Sequence, residues 1–194
     1  MHIIKYTTGF LLLFLMTVKM AAQEKATRSM WQFHSINNIG LLEGQAGSAF
    51  QGQTINGAQY KSWFAGAGIG LDYYRFRGFP LFLDIRKMFP LAANTFFLYG
   101  DIGTHANWLT EKQKNSNGYI AVSDLSNGLY TDAGAGVEIS LGKKTGFVIS
   151  AGYSYKTLNG KQTDYTPITY DGPPAISTLR YNLSRLSLKA GLKF

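Results

Sequence analysis

Nine charged residues lie in segments that are otherwise apolar or rich in glycine, and they are the residues best placed to do chemistry. They are Asp72, Asp84, Arg86, Asp101, Asp132, Glu138, Lys156, Arg185 and Lys189. If these side chains shared one confined interior, they would have to be paired or hydrated, because an unpaired buried charge costs several kcal/mol. Such a set would either brace the fold through ion pairs or line a narrow path for protons or small ions.

Other motifs give weaker signals for chemistry. Gly66, Gly68 and Gly70 recur in strict steps of two, whereas a dinucleotide-binding loop needs G-x-G-x-x-G between a strand and a helix. The run Gly142-Lys143-Lys144-Thr145 resembles a phosphate-binding loop only superficially, since the first glycine of that motif would fall at Val137. The chain has no cysteine, which excludes disulfides, thiolate metal sites and thiol nucleophiles. We predict no catalytic residue, no metal site and no cofactor.

The composition indicates a protein rich in β-structure with a large non-aqueous surface. Charged residues make up 15% of the chain and aromatic residues 14%, whereas soluble domains carry about 25% charged residues. The basic residues are scattered along the chain, so we predict no binding to nucleic acid.

The N-terminus has the pattern of a secretory signal peptide. Lys5 gives a basic start, Phe10 to Val18 form a short apolar core, and Ala21-Ala22-Gln23 offers small residues for cleavage. The apolar core is too short for a helix that crosses a membrane. We therefore predict a signal peptide over residues 1–23 and a short polar lead over 24–32, followed by a single domain over 33–194. Removal of the signal peptide would leave a net charge of +6 from the +8 of the whole chain.

Beyond residue 32 the chain alternates between strand-like runs and turn signals, which predicts eight β-strands. The first seven are predicted at about 33–44, 48–55, 59–74, 79–89, 95–108, 128–141 and 147–156, and the eighth ends the chain. The predicted short turns are Asn56-Gly57, Pro90–Asn94 and Gly142–Gly146, and the two long loops are 109–127 and 157–179. The first two strands alternate too poorly for their faces to be assigned.

The glycines decide which face of each strand points inward. The glycines that share a face with charged residues are Gly66, Gly68, Gly70, Gly134, Gly136 and Gly152. A narrow eight-stranded barrel holds only a limited volume of side chains, so small and charged residues suit its interior. The apolar face is then expected outside, as in a barrel that spans a membrane.

Aromatic residues of the apolar face fall near the strand ends, as expected for girdles at two membrane interfaces. An even number of strands puts both termini on the same side of the membrane, and we take this inner side as the periplasm. The belt at the periplasmic strand ends then comprises Trp63, Phe89, Phe96, Phe147 and Phe194. The other comprises Tyr73, Trp108, Tyr153 and Tyr155. Lys61 and Lys87 also lie on this face, near the inner strand ends, where they could reach the interface. The short turns then lie inside and both long loops outside.

The C-terminal stretch RLSLKAGLKF supplies the most specific signal. Leu186, Leu188, Leu192 and Phe194 lie on one face of a strand that ends the chain on an aromatic residue. This pattern resembles the assembly signal of the small Gram-negative outer-membrane β-barrel family, in the size class of the OmpA transmembrane domain and OmpX. The stretch QTINGAQYKSWFAGAGIGLDYYRFRGFPLFLDIRK resembles conserved barrels of the same kind. The resemblance implies an all-β fold, an eight-stranded antiparallel up-and-down transmembrane barrel with a polar lumen filled by side chains.

The resemblance implies a cellular location and partners, but the family has no agreed activity. It implies export through the periplasm to the outer membrane, contact with outer-membrane lipid and lipopolysaccharide, and insertion by the barrel-assembly machinery. Some small barrels of this size are lipid A deacylases, which rely on a histidine and a serine two residues apart on one strand. His105 is followed two residues later by Asn107, and His34 is adjacent to Ser35, so neither carries that pattern.

These observations favour a barrel with a structural or surface-interaction role and no catalysis. Loops 109–127 and 157–179 would offer the contact with an unknown surface partner. A narrow, porin-like channel for ions or small solutes is the first alternative, and a lipid-modifying enzyme is the second. Inside the barrel, Arg86 is expected to contact an acid from the third to sixth predicted strands, and Asp101 on the adjacent strand is expected within its reach.

Overall fold

The computed structural model describes residues 31–45, 47–73, 77–91, 94–108, 120–123, 125–142, 144–164 and 175–194. Its nine strands are β1 Trp31–Glu43, β2 Ala49–Tyr60, β3 Trp63–Asp72, β4 Arg77–Leu91, β5 Asn94–Trp108, β6 Ile120–Ser123, β7 Gly128–Ser140, β8 Gly146–Asp164 and β9 Ala175–Lys193. The predicted signal peptide 1–23 lies outside the described residues. No helix among the described residues is long and apolar enough to cross a membrane.

Eight of these strands form a closed antiparallel barrel, which confirms the predicted fold. Each of β1, β2, β3, β4, β5, β7, β8 and β9 pairs with the next, and β9 returns to pair with β1. One end of the barrel, called here the short-turn rim, is formed by the strand ends Tyr60 and Trp63, Leu91 and Asn94, and Ser140 and Gly146. The opposite end, called the long-loop rim, is formed by the strand ends Glu43 and Ala49, Asp72 and Arg77, Trp108 and Gly128, and Asp164 and Ala175.

The strands are staggered, so that the hydrogen-bonded rows climb around the barrel. Starting at Leu42 and passing from partner to partner through β9, β8, β7, β5, β4, β3 and β2, the register returns to β1 at Gln32, ten residues away. With eight strands about 4.8 Å apart and about 3.4 Å per residue, this stagger corresponds to a strand tilt of about 40°. Residues at one depth are therefore displaced from their register partners by a little over one residue for each strand crossed.

Alternation along the strands produces an apolar outer surface and a mixed interior. On β4, Leu83 is 65% exposed, whereas Asp84 is 2% exposed. The predicted faces are correct for the third to eighth strands of the barrel. On β1 and β2, whose faces the sequence left open, the inward side carries Ile36, Asn38, Leu42, Gln51, Gln53 and Ile55. Their alternation is poor because the interior next to them is partly apolar.

The predicted hairpin at Asn56-Gly57 is wrong. Both residues lie inside β2, where Gly57 pairs with Gly66 of β3. A Cβ atom on Gly57 would lie 2.5 Å from the Gly66 Cα and 2.8 Å from the Phe64 Cζ. The glycine is therefore required by close packing. The turn itself lies at Lys61-Ser62, with Lys61 at a φ of 54°.

The last two strands are longer than predicted. β8 and β9 have 19 residues each, so much of the predicted loop 157–179 is strand, and the predicted loop 109–127 contains β6. β6 pairs with β8 at Lys161–Asp164. Residues 157–164 and 175–184 are mostly polar, so no apolar alternation marks these segments. At the other ends, β1 begins at Trp31, inside the predicted lead, and β4 runs through Pro90 to Leu91, which narrows the predicted Pro90–Asn94 turn.

Candidate functional site

The barrel interior holds all nine of the charged residues singled out from the sequence. Eight of them are buried to 5% exposure or less, namely Asp72, Asp84, Arg86, Asp101, Asp132, Lys156, Arg185 and Lys189. The ninth, Glu138, keeps 16% of its side chain exposed. Side chains alternate between the two faces of a strand, so the position of each residue in its own strand places it inside the barrel. The tilt of the strands then determines which of these side chains are in contact.

Arg86 forms the closest ion pair of the middle of the barrel with Asp84, two residues before it on β4. Its Nε lies 3.0 and 3.1 Å from the two carboxylate oxygens, and its Nη2 lies 2.9 Å from Oδ2. The expectation that Arg86 would contact an acid of the third to sixth predicted strands thus holds through Asp84. Arg86 was also expected to reach Asp101 on the adjacent strand. Instead, the register sets Asp101 opposite Asp84 and sets Tyr99 opposite Arg86.

Three aromatic rings surround the Arg86 guanidinium. The Arg86 Cζ lies 5.8 Å from the Phe64 ring centroid, 5.2 Å from that of Phe97 and 5.8 Å from that of Tyr99. At these distances a ring face attracts a cation. Arg86 is therefore held by one carboxylate and by the quadrupoles of three rings.

A second cluster joins β5, β7 and β9 at a similar depth. Lys189 Nζ donates to Asp132 Oδ2 at 3.0 Å, and the Tyr99 hydroxyl donates to Asp132 Oδ1 at 2.9 Å. Lys189 pairs through β8 with Gly136, four residues from Asp132 along β7. Strand tilt accounts for about two to three of these four residues, and the long Lys189 side chain covers the rest. The contact therefore departs from the hydrogen-bonded row.

Near the long-loop rim, Lys156 of β8 forms a salt bridge with Asp72 of β3. These strands lie on opposite sides of the eight-stranded ring, so the pair crosses the lumen. Lys156 also lies 5.3 Å from the Tyr130 ring centroid, and the Tyr130 hydroxyl accepts a hydrogen bond from Gln53 Nε2 at 2.9 Å. Arg185 donates to the carbonyl oxygens of Leu42, at 3.2 Å, and of Gly47.

Near the short-turn rim, Lys193 pairs with Glu138. Lys193 Nζ lies 3.0 and 2.8 Å from the two carboxylate oxygens. Lys193 was missing from the predicted network, although it continues the spacing of Arg185 and Lys189 on the inward face of β9. That spacing is the signal that could have found it.

The interior also contains an apolar cluster, so the prediction of a polar lumen is incomplete. The cluster is composed of Ile36, Ile55, Phe64, Phe82, Met88, Phe97, Tyr99, Tyr130 and Val148. Glycines on facing strands make room for the rings. A Cβ atom on Gly68 would collide with the Phe82 ring, and one on Gly136 would collide with the Phe97 ring. Each glycine is the register partner of its aromatic residue.

His105 lies in the barrel interior and is fully buried. Its Nε2 lies 2.9 Å from the Thr157 carbonyl oxygen, and its Nδ1 lies 3.1 Å from the Asn107 side-chain oxygen. Both ring nitrogens are thus engaged, and the contact with Thr157 ties β5 to β8. Among the described residues, no group of three or more His, Cys, Asp or Glu could hold a metal ion.

The outer surface carries most of the predicted belts and the predicted assembly signal. Trp63, Tyr73, Phe89, Phe96 and Tyr153 are each more than 40% exposed, and Phe147 and Tyr155 are partly exposed. The Trp108 side chain lies outside the described residues. Leu186, Leu188, Leu192 and Phe194 all face outward. Trp31 and Phe33, each 61% exposed, extend the belt at the short-turn rim and were not predicted.

No protein-family model matches this chain, and no curated protein has a matching sequence. Among solved structures, the chain is similar to OprG from Pseudomonas aeruginosa, an outer membrane protein, with 11% identity and a TM-score of 0.50 over 84% of this chain and 95% of that one. It is also similar to Neisserial surface protein A (12% identity, TM-score 0.48, 85% and 96% covered). A third similar structure is the outer membrane protein AlkL (11% identity, TM-score 0.46, 88% and 93% covered). The chain therefore has the fold of small outer-membrane barrels.

Proposed function

We propose that this chain is an integral outer-membrane protein. Its barrel does not conduct and holds the extracellular segments in place, and those segments carry out its function at the cell surface. The observation that carries this proposal is the filled interior. Side chains from every strand of the barrel meet inside it, as an apolar cluster and as ion pairs that cross between strands. Eight strands enclose little space beyond the volume of their own side chains.

The long-loop rim supports the surface role. Residues 157–164 of β8 continue past its last register pair with β7, at Lys156, for about 25 Å along the strand. They pair with β9 on one side and with β6 on the other. The Ser126 N–H donates to the Asn159 carbonyl oxygen at 2.8 Å and ties the nearby loop to this sheet.

This three-stranded sheet of β6, β8 and β9, called here the rim sheet, would lie outside the cell. Lys161 and Arg180 are exposed on it. Both are suited to anionic lipopolysaccharide or to an acidic surface partner. In this proposal residues 1–23 direct export and are removed, and the barrel-assembly machinery inserts the barrel with its outer face in lipid.

A shortened hairpin tests the surface role. Leu158 and Tyr181 face each other across β8 and β9, so residues 159–180 can be replaced by an Asn-Gly turn. We expect this variant to assemble as a heat-modifiable barrel and to behave in cells like a strain that lacks the protein. Full complementation by the shortened variant would overturn the surface role.

Two measurements address the alternatives. A closed barrel predicts no single-channel conductance in planar bilayers, whereas a channel would conduct in a way that changes on Asp84→Asn. A lipid-modifying enzyme would alter the mass of lipid A on expression, and His105→Ala would abolish that change.

A further inference from the structure

Three buried carboxyl groups stand side by side in the middle of the barrel. Asp84 on β4, Asp101 on β5 and Asp132 on β7 are direct cross-strand neighbours, and they are 2%, 4% and 0% exposed. Residues in such positions have Cβ atoms about 4.5–5.5 Å apart. Three negative charges at this spacing repel each other strongly in an interior from which water is excluded.

Two cations neutralise the outer members of this row. Arg86 binds Asp84, and Lys189 binds Asp132 together with the Tyr99 hydroxyl. The Lys189 Nζ is 3.8 Å from Asp101 Oδ2, which is beyond hydrogen-bonding distance. Neither oxygen of Asp101 accepts a hydrogen bond from a described residue, although its side chain is fully buried.

The register sets the Asp101 carboxyl directly opposite the Asp84 carboxyl on the adjacent strand, close enough for the two groups to share a proton. An ionised carboxylate has acceptors only, so a hydrogen bond between two carboxyl groups requires one of them to carry a proton. A single proton would also balance the row, since it would leave two negative charges against the two cations.

We propose that Asp84 and Asp101 form a proton-binding site in the barrel interior, in which one carboxyl group stays protonated and donates to the other at neutral pH. The bound species is one proton, which passes to solvent when the pair is fully ionised and leaves the row with a net charge of −1. The charged and titratable groups that face the pair are Arg86 from β4, Tyr99 from β5, Tyr130 and Asp132 from β7, and Lys189 from β9.

Infrared spectroscopy of the folded full chain in lipid vesicles tests this site. We expect wild type at neutral pH to show the carbonyl stretch of a buried protonated carboxyl, and Asp101→Asn and Asp84→Asn each to abolish it. The Asp101→Asn amide can donate to Asp84 as the protonated acid does, so this variant should fold. Glu138→Gln, which alters the separate pair at the short-turn rim, is the matched control and should keep the band.

A second measurement keeps the test independent of any one variant. An unfolded aspartate releases its proton at about pH 4, whereas the folded pair still holds one at neutral pH. The free energy of unfolding should therefore fall as the pH rises from about 4 through neutrality, until the folded pair itself ionises. Asp101→Asn should reduce this pH dependence. Absence of the carboxyl band in wild type, its survival in both asparagine variants, or a pH dependence unchanged by Asp101→Asn would each overturn the proposal.

Discussion

Phe194 and Ser35 exchange two backbone hydrogen bonds, with N···O distances of 2.9 and 3.1 Å. The last residue of the chain is therefore joined to the first strand of the barrel. The Phe194 ring is 52% exposed and lies on the outer surface at the short-turn rim. The backbone of Phe194 thus closes the seam between β1 and β9, while its side chain remains available to another molecule.

This division of roles predicts the outcome of Phe194→Asp. The substitution keeps the two backbone hydrogen bonds and removes the aromatic ring. If the ring is an assembly signal, the variant should fail to reach the outer membrane and should be degraded in the periplasm. The measurement is the amount of heat-modifiable protein in the outer-membrane fraction.

Phe33→Asp is the control for the assembly experiment. Phe33 is also exposed near the short-turn rim, at 61%, but it lies in the first strand. We expect a smaller loss of assembled protein for this variant. Equal losses for both variants would show that any charge at this membrane edge is harmful, and the case for a terminal signal would be lost.

Arg86→Met should destabilise the barrel by about 3–5 kcal/mol, because it leaves the buried Asp84 carboxylate without its cation. Adding Asp84→Asn should recover part of the loss, since the two residues are in direct contact. Denaturant unfolding in lipid vesicles measures both. Lys87→Met, next on the same strand but partly exposed, should cost about 0–1 kcal/mol. Strictly additive losses for Arg86 and Asp84 would contradict the pair.

Gly136→Ala should destabilise the barrel by about 1–3 kcal/mol through overpacking. Its Cβ atom would lie 2.5 Å from the Ile149 carbonyl oxygen and would also strike the Phe97 ring. Gly100→Ala is a matched control in β5, because a Cβ atom there meets nothing within 4 Å. Its unfolding free energy should stay level or rise. Similar effects of the two substitutions would disprove the role of Gly136 as space for Phe97.

The corrected turn gives a prediction about insertions. Four residues of Gly-Ser sequence placed between Lys61 and Ser62 should be tolerated, since these residues form the turn between β2 and β3. The same insertion between Asn56 and Gly57 should prevent assembly, because it shifts the pairing of β2 with both neighbours. Heat-modifiable gel mobility reports both results, and the reverse outcome would restore the hairpin at Asn56-Gly57.

The inward and outward faces were predictable wherever alternation was strong. On β4 and β7 the period of two alone places Asp84, Arg86 and Asp132 inside. On β1 and β2 it failed, because Ile36 and Ile55 are inward and apolar. The Asn56-Gly57 error has a related cause, since the glycine that fits a tight turn also fits the space beside Phe64.

The partners inside the barrel were less predictable because the stagger cannot be read from any single strand. The register pairs Lys189 with Ser150 and, through Ser150, with Gly136, whereas the Lys189 side chain contacts Asp132. The stagger of ten residues emerges only when all eight pairings are known. The lengths of β8 and β9 were missed because hydrophobic patterning ends where the barrel ends.

The salt bridge between Lys156 and Asp72 has a mechanical consequence. It joins strands on opposite sides of the barrel near the long-loop rim. The pair therefore resists deformation of the circular cross-section into an ellipse. The pair at the short-turn rim, Lys193 and Glu138, joins walls only two strands apart and spans a shorter chord. Lateral pressure from the bilayer should therefore deform the barrel more easily at the short-turn rim than at the rim that carries the extended strands.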